Sequence, residues 1–188
     1  MKYFYKLPVD NLKELQLAAL RKIPLAAITE QHTRLFYPKY DFLDDLNFVS
    51  ILKNYGLYDY VYDIALFIMG PSCISPIHID GDEIYTWSFN IPLEGCANTE
   101  TNFFVSDYPP IRTKSPNSNI HYSTYRADQC QLADSLELTE SYIMNVSKPH
   151  NIVNPNLKKR ISLCVRIKSS FDISNLVEML NRSEYGSV

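Results

Sequence analysis

Apolar residues recur along the chain with two different periods, and the change from one to the other falls near residue 57. From 11 to 21, Leu12, Leu15, Ala19 and Leu20 fall on one helical face, with Asp10 as the cap in front of them. Pro24 stops or kinks this helix. A second helix is predicted from Asp44 or Asp45 to Tyr55, on Leu46, Val49, Ile51 and Leu52, with Gly56 where the chain must leave it. The first 57 residues therefore read as a helical buttress.

From Tyr60 the period shortens, and β-branched and aromatic residues gather in runs separated by Pro, Asn, Asp and Gly. Strands are expected at about 60–68, 74–79, 85–92, 101–105, 120–126, 132–138, 141–147 and 160–168. A last helix is expected at 175–182, opening with Asn175 and Glu178 at capping-box spacing. Such a series of short strands belongs to a sandwich, a jelly roll or a small barrel. The expected organisation is one domain over 1–188, with the buttress at 1–57, a β core at 58–168 and a C-terminal helix and tail at 169–188. Ser106 to Asn119, with three prolines and little apolar periodicity, is the one long irregular connection, either a lid or a solvated excursion.

Two strands show which residues face inward. In 160–168, Arg160, Ser162, Cys164 and Arg166 alternate with Ile161, Leu163, Val165 and Ile167, so the apolar set should lie beneath the N-terminal helices. In YTWSFNIPL, Tyr85, Trp87, Phe89, Ile91 and Leu93 share one face, with Trp87 a core residue, while Thr86, Ser88 and Asn90 share the other and line a cavity. Asn90 there either binds a ligand or satisfies backbone groups.

Composition adds exclusions. The chain is 46% hydrophobic and 21% charged, as globular proteins are, and carries a net charge of -3. Without a basic run, an electrostatic grip on nucleic acid or an anionic membrane is not expected. No stretch approaches the roughly 18 apolar residues of a spanning helix, and MKYFYKLPVDNLKEL lacks the apolar block of a signal peptide, so a cytoplasmic location is expected. The partner is then not expected to be a polyanion. Cys73, Cys96, Cys130 and Cys164 stand apart without CxxC spacing and read as free thiols.

The candidate chemistry begins with PIHIDG, where His78 and Asp80 are one residue apart on a strand and leave from the same face, within reach of one metal ion. Alone, such a pair is more commonly an ordinary hydrogen-bonded couple. The segment KPHNIVNPNLKKRISLCVRI adds His150, then Arg160 and Ser162. In order and interval these five residues resemble the pattern of the Fe(II)- and 2-oxoglutarate-dependent oxygenases: HxD, a distal His, and about ten residues later an Arg followed by Ser two positions on.

The resemblance covers about Tyr60 to Ile167. It implies a double-stranded β-helix, a jelly-roll relative of the cupins with helices packed on one sheet. It implies a non-haem iron dioxygenase in which His78, Asp80 and His150 hold Fe(II), and two imidazoles with one carboxylate on an octahedral ion leave three positions open. It further implies 2-oxoglutarate and dioxygen as cosubstrates. The keto acid takes two open positions, and its far carboxylate meets Arg160 and Ser162, with Asn90 as a further candidate contact. A guanidinium suits that carboxylate because it offers two parallel donors.

The implied reaction is hydroxylation of an unactivated C–H bond of a peptidyl side chain or a small metabolite, with release of succinate and CO2. Compact members with an HxD motif include prolyl hydroxylases. Two other readings keep the same ligands: a jelly-roll module that binds a metal or ligand without turnover, and a zinc or manganese cupin-type enzyme without 2-oxoglutarate. Arg160 and Ser162 count against the last of these. Arg160 also stands in a Lys158, Lys159, Arg160 cluster, for which solvation is the ordinary reading, but its spacing from His150 turns it inward. His32 and His121 read as structural, and Tyr122 and Tyr125 as packing near a cavity mouth.

Overall fold

In the computed structural model, which describes residues 2–22, 32–37, 42–80, 84–114 and 121–185, the strands form two antiparallel sheets with the helices on the outside of one. The first sheet runs β1 (Phe4–Lys6), β11 (Tyr142–Asn145), β6 (Tyr85–Glu94), β13 (Arg160–Lys168), β3 (Val61–Met69) and β2 (His32–Tyr37). The second runs β10 (Gln131–Glu137), β7 (Glu100–Val105), β12 (His150–Asn154), β5 (Ile77–Ile79), β9 (His121–Tyr125) and β8 (Ile111–Lys114), with β4 (Cys73–Ile74) paired to β12. The chain crosses between sheets from β5 to β6 to β7 and again from β10 through β13, which is the jelly-roll winding expected from the strand series.

The alternation of β13 decides where the core sits. Ile161, Leu163, Val165 and Ile167 are buried with Phe89 and Ile91 of β6 and Ile64, Leu66 and Ile68 of β3. Against them pack Leu15 and Ala19 of α1 (Leu12–Arg21), Phe48 and Leu52 of α2 (Leu46–Asn54) and Leu176 of α3 (Ile173–Tyr185), each fully buried large side chain contributing about 1.5–3 kcal/mol. A second, smaller cluster around Phe103, Leu136, Met144 and Val146, joined by Tyr3 and Phe4, closes one side of the space between the sheets.

Several expectations need correction. The first 57 residues are not all helical, because β1 and β2 form the two edges of the first sheet. The cap position of α1 is Asn11, in the left-handed region at φ 57, and not Asp10. Asp45 caps α2 as expected, accepting from the N–H groups of Asn47 and Phe48. The last helix starts at Ile173, and it is Asp172, rather than Asn175, that accepts from the Ser174 N–H. Within the Ser106 to Asn119 connection, Ile111–Lys114 is a strand paired to β9, and residues 115–119 lie outside the described residues. No described helix is long and apolar enough to cross a membrane.

Among the described residues, two glycines sit at positive φ with different surroundings. Gly56 (φ +65), after α2, has nothing within 4 Å of a notional Cβ, so Gly56→Ala is expected to cost only the left-handed penalty of about 1–2 kcal/mol. Gly95 (φ +62) would place its Cβ 2.0 Å from the Lys159 carbonyl oxygen, a backbone atom adjacent to Arg160. Gly95→Ala should therefore cost about 2 kcal/mol or more and displace the start of β13. Urea unfolding of the two variants checks this, and equal midpoints would contradict it.

Candidate metal centre

β5 and β12 are antiparallel neighbours in which His78 and His150 are register partners. Directly opposite residues share a face, so both imidazoles enter the space between the sheets, with ring centroids 4.5 Å apart. Asp80 follows β5, and its N–H donates to the Val146 carbonyl at 2.8 Å, which ties this turn to the chain just beyond β11. Asp80 Oδ1 lies 3.6 Å from His78 Nε2, and the ligand atoms of the three residues lie within 4.8 Å of one another. Donors bound about 2.0–2.2 Å from one ion at right angles stand about 3 Å apart, so modest side-chain rotation brings all three onto a single ion.

Both rings are held by the same local device. His78 Nδ1 is 2.8 Å from the Pro76 carbonyl oxygen, and His150 Nδ1 is 2.8 Å from the Lys148 carbonyl oxygen, in each case two residues back. A carbonyl only accepts, so each Nδ1 carries the hydrogen and each Nε2 keeps its lone pair for a metal. Two neutral imidazoles and a carboxylate form the donor set that suits a divalent first-row ion such as Fe(II).

Opposite the triad, β13 turns Arg160, Ser162, Cys164 and Arg166 into the same cavity. Arg160 is 2% exposed. Its Nη1 donates to Ser162 Oγ at 3.2 Å, its Nε has no hydrogen-bond partner, and no ion pair to it is present among the described residues. Cys96 does not serve as counter-ion: burial pushes its thiol up, the opposing pull of the Arg160 charge is smaller, and Sγ donates to the Ile161 carbonyl at 3.1 Å. A desolvated guanidinium without an anion is costly, and a carboxylate entering this end of the cavity would offset that cost.

The six residues singled out from the sequence, His78, Asp80, His150, Arg160, Ser162 and Asn90, thus line one cavity. The Asn90 amide is engaged along its own strand, Nδ2 donating to the Ser88 carbonyl at 2.8 Å and Oδ1 accepting from Ser88 Oγ at 3.4 Å. Tyr122 meets His78 edge-on at 6.3 Å. His32 begins an edge strand rather than lying in a helix, and His121 begins β9.

Tyr85 is a correction to the expected alternation. The register between β6 and β13 shifts beyond Ile167, and Tyr85 lines the cavity instead of sharing the face of Trp87. The two carbonyls that orient the imidazoles, and the ion pair of Arg166 with Asp63, were not legible as site features.

Among solved structures, the chain is similar to EvdO2 from Micromonospora carbonacea var. aurantiaca complexed with 2-oxoglutarate, at 11% identity over 89% of this chain and 87% of that one, with a TM-score of 0.55. The two share one fold. Weaker similarities are to a 2OG-Fe(II) oxygenase family oxidoreductase from Burkholderia pseudomallei (12% identity, 88% and 85% of the chains, TM-score 0.45) and to a Pseudomonas putida prolyl-4-hydroxylase (12%, 88% and 90%, TM-score 0.43). The sequence matches no protein-family model and no curated protein. The shared fold is the double-stranded β-helix that the strand series and the HxD pattern led us to expect.

Proposed function

We propose that this chain is a 2-oxoglutarate-dependent oxygenase in which His78, Asp80 and His150 hold Fe(II) and Arg160 with Ser162 binds the far carboxylate of the keto acid. The observation that carries the reading is the buried Arg160 guanidinium, without a counter-ion among the described residues, in the same cavity as the triad. A metal-binding module or a cupin-type enzyme that takes no dicarboxylate has no use for that charge. Iron with 2-oxoglutarate and dioxygen supplies oxidative decarboxylation to succinate and CO2, coupled to hydroxylation of a C–H bond.

The protein's contribution is placement. The Pro76 and Lys148 carbonyls hold the imidazole tautomers, and the short link from β5 to Asp80 sets the carboxylate beside them. Arg160 and Ser162 orient the keto acid from its far end, and Phe103, Met144 and Val146 keep water from the surroundings of the triad. The substrate is a small metabolite or a peptidyl side chain.

The test is succinate release from 2-oxoglutarate by the Fe(II)-loaded protein against peptide, amino-acid and metabolite pools, beside titration of the anaerobic protein with 2-oxoglutarate. Iron- and substrate-dependent succinate is expected. Absence of both succinate and 2-oxoglutarate binding would overturn the proposal.

A further inference from the structure

The face of the second sheet that carries both histidines continues past the metal centre onto the β8–β9 hairpin. His78, Thr124 and Ile111 are successive register partners across β5, β9 and β8, so all three share that face. At the usual strand spacing, Ile111 lies about 10 Å from His78. One same-face position along, Thr113 and Tyr122 are register partners, and the Tyr122 ring meets the His78 imidazole edge-on at 6.3 Å and 88°. The keto acid, held between the triad and Arg160 on β13, makes no use of this hairpin.

The polar groups on the hairpin face are already engaged with one another. The Thr113 and Thr124 hydroxyl oxygens lie 2.7 Å apart, and they stand 3.3 and 3.2 Å from the Ile111 carbonyl oxygen. Two hydroxyl hydrogens serve one bond between the threonines and one to that carbonyl. What is left to meet a ligand is threonine methyl, the Ile111 side chain, which is 50% exposed, and the half-buried Tyr122 ring. No charged position alternates onto this face, since Arg112 and Ser123 take the other one.

An apolar group laid on such a surface removes water from both partners. The surface begins at the imidazole of a candidate ligand, so a group seated there is also held next to the metal centre, where oxidation takes place. That continuity makes its occupant the molecule to be oxidised.

We propose that Tyr122 is a specificity-determining residue for the substrate, and that with Ile111 it seats an aliphatic or aromatic group of the molecule to be oxidised. This rests on the oxygenase reading above. It narrows the substrate to one that is apolar at its reacting end, and away from sugars, nucleotides and other strongly polar molecules.

The experiment uses the full chain loaded with Mn(II) and saturated with 2-oxoglutarate. The probes are the N-acetyl methylamides of L-leucine, L-phenylalanine and L-glutamine, and free L-leucine and L-phenylalanine. Paramagnetic relaxation of the side-chain protons reads proximity to the metal. In the wild type, at least one apolar probe should relax faster than the glutamine probe. A response of the amides assigns a peptidyl substrate, and a response of the free amino acids a small metabolite. Tyr122→Ala should weaken that binding about tenfold. Tyr122→Phe, which keeps the ring, should retain it. Ile111→Gln, on an exposed edge strand, should weaken it without touching the metal centre. Mn(II) and 2-oxoglutarate affinities should stay at wild-type values in all three variants.

No apolar probe relaxing faster than the glutamine probe in the wild type would overturn the proposal, as would binding that persists in both Tyr122→Ala and Ile111→Gln. Loss of Mn(II) affinity in Tyr122→Ala, with Ile111→Gln unchanged, would reduce Tyr122 to a support for His78 and overturn it too. So would a dimer in sedimentation that Ile111→Gln dissociates, which would give the surface to a second copy of the chain. Failure of the wild type to bind 2-oxoglutarate would instead defeat the functional reading beneath the proposal.

Discussion

His150→Ala and His78→Ala are each expected to lower Fe(II) affinity by about 100-fold or more while leaving the fold intact. Each removes one of three protein donors. Losing even an outer group that merely orients a ligand typically costs 10–100-fold, so loss of the ligand itself sets that range as a floor. The fold survives because the imidazoles project into a cavity, while the strands that carry them are held by backbone pairing to β7, β4 and β9. Anaerobic equilibrium dialysis measures the metal, and far-ultraviolet circular dichroism checks the strands. Stoichiometric Fe(II) retained by both variants would remove the metal centre from this account.

The second large effect has two parts of opposite sign. Arg160→Leu is expected to lower 2-oxoglutarate affinity about a hundredfold or more, since it deletes two charge-assisted hydrogen bonds worth about 1.5–3 kcal/mol each. The same change should raise the stability of the metal-free protein. Arg160 is 2% exposed, with Nε unpartnered and no counter-ion among the described residues, and replacing such a charge by a packed apolar side chain relieves its desolvation. A gain of about 1–2 kcal/mol corresponds to about 2–8 °C in melting temperature for a chain of this size. Arg160→Lys should keep the charge, lose the fork and fall between. The charge-transfer absorption of the anaerobic Fe(II) complex reads the affinity, and thermal unfolding without metal reads the stability. An arginine serving only the fold would lose stability on substitution and leave the titration unchanged.

The legible and illegible parts of this protein differ in how far apart their physical causes lie along the chain. β13 and β6 were readable because their alternation is strict: a sheet buried under helices on one face and lining a polar cavity on the other imposes period two. The clustering of His78, Asp80 and His150 was readable because HxD puts two candidate ligands on one face locally, and His150 and Arg160 follow at a telling interval. β2 and β8 were missed because short edge strands take their conformation from a partner, β3 and β9, that no local pattern names. β12 was missed as a strand because Pro149 and Pro155 bracket it, although its histidine was found. Arg166 was seen as one polar residue of an alternating strand, but Asp63 belongs to a register set 103 residues away. The carbonyls of Pro76 and Lys148 are backbone atoms, on which residue type carries almost no information.

The placement of the helices has one further consequence. The three described helices all pack on the first sheet, whose strands β3, β6 and β13 are covered on the outside, whereas Val105, Ile111 and Leu132 of the second sheet are 47%, 50% and 58% exposed. The two histidines belong to that second, thinner wall, and Arg160 to the insulated one. Opening free energies differ between such regions, being low where backbone bonds face water and close to the global value inside the core. The protein therefore has a durable half and a yielding half. A fluctuation that separated β5 from β12 would release an ion held there while Arg160 on β13 and the hydrophobic layer behind it stayed assembled. Loss of such an ion and unfolding would then be distinct events, and an ion held by the three residues would act as a rivet through the weaker wall.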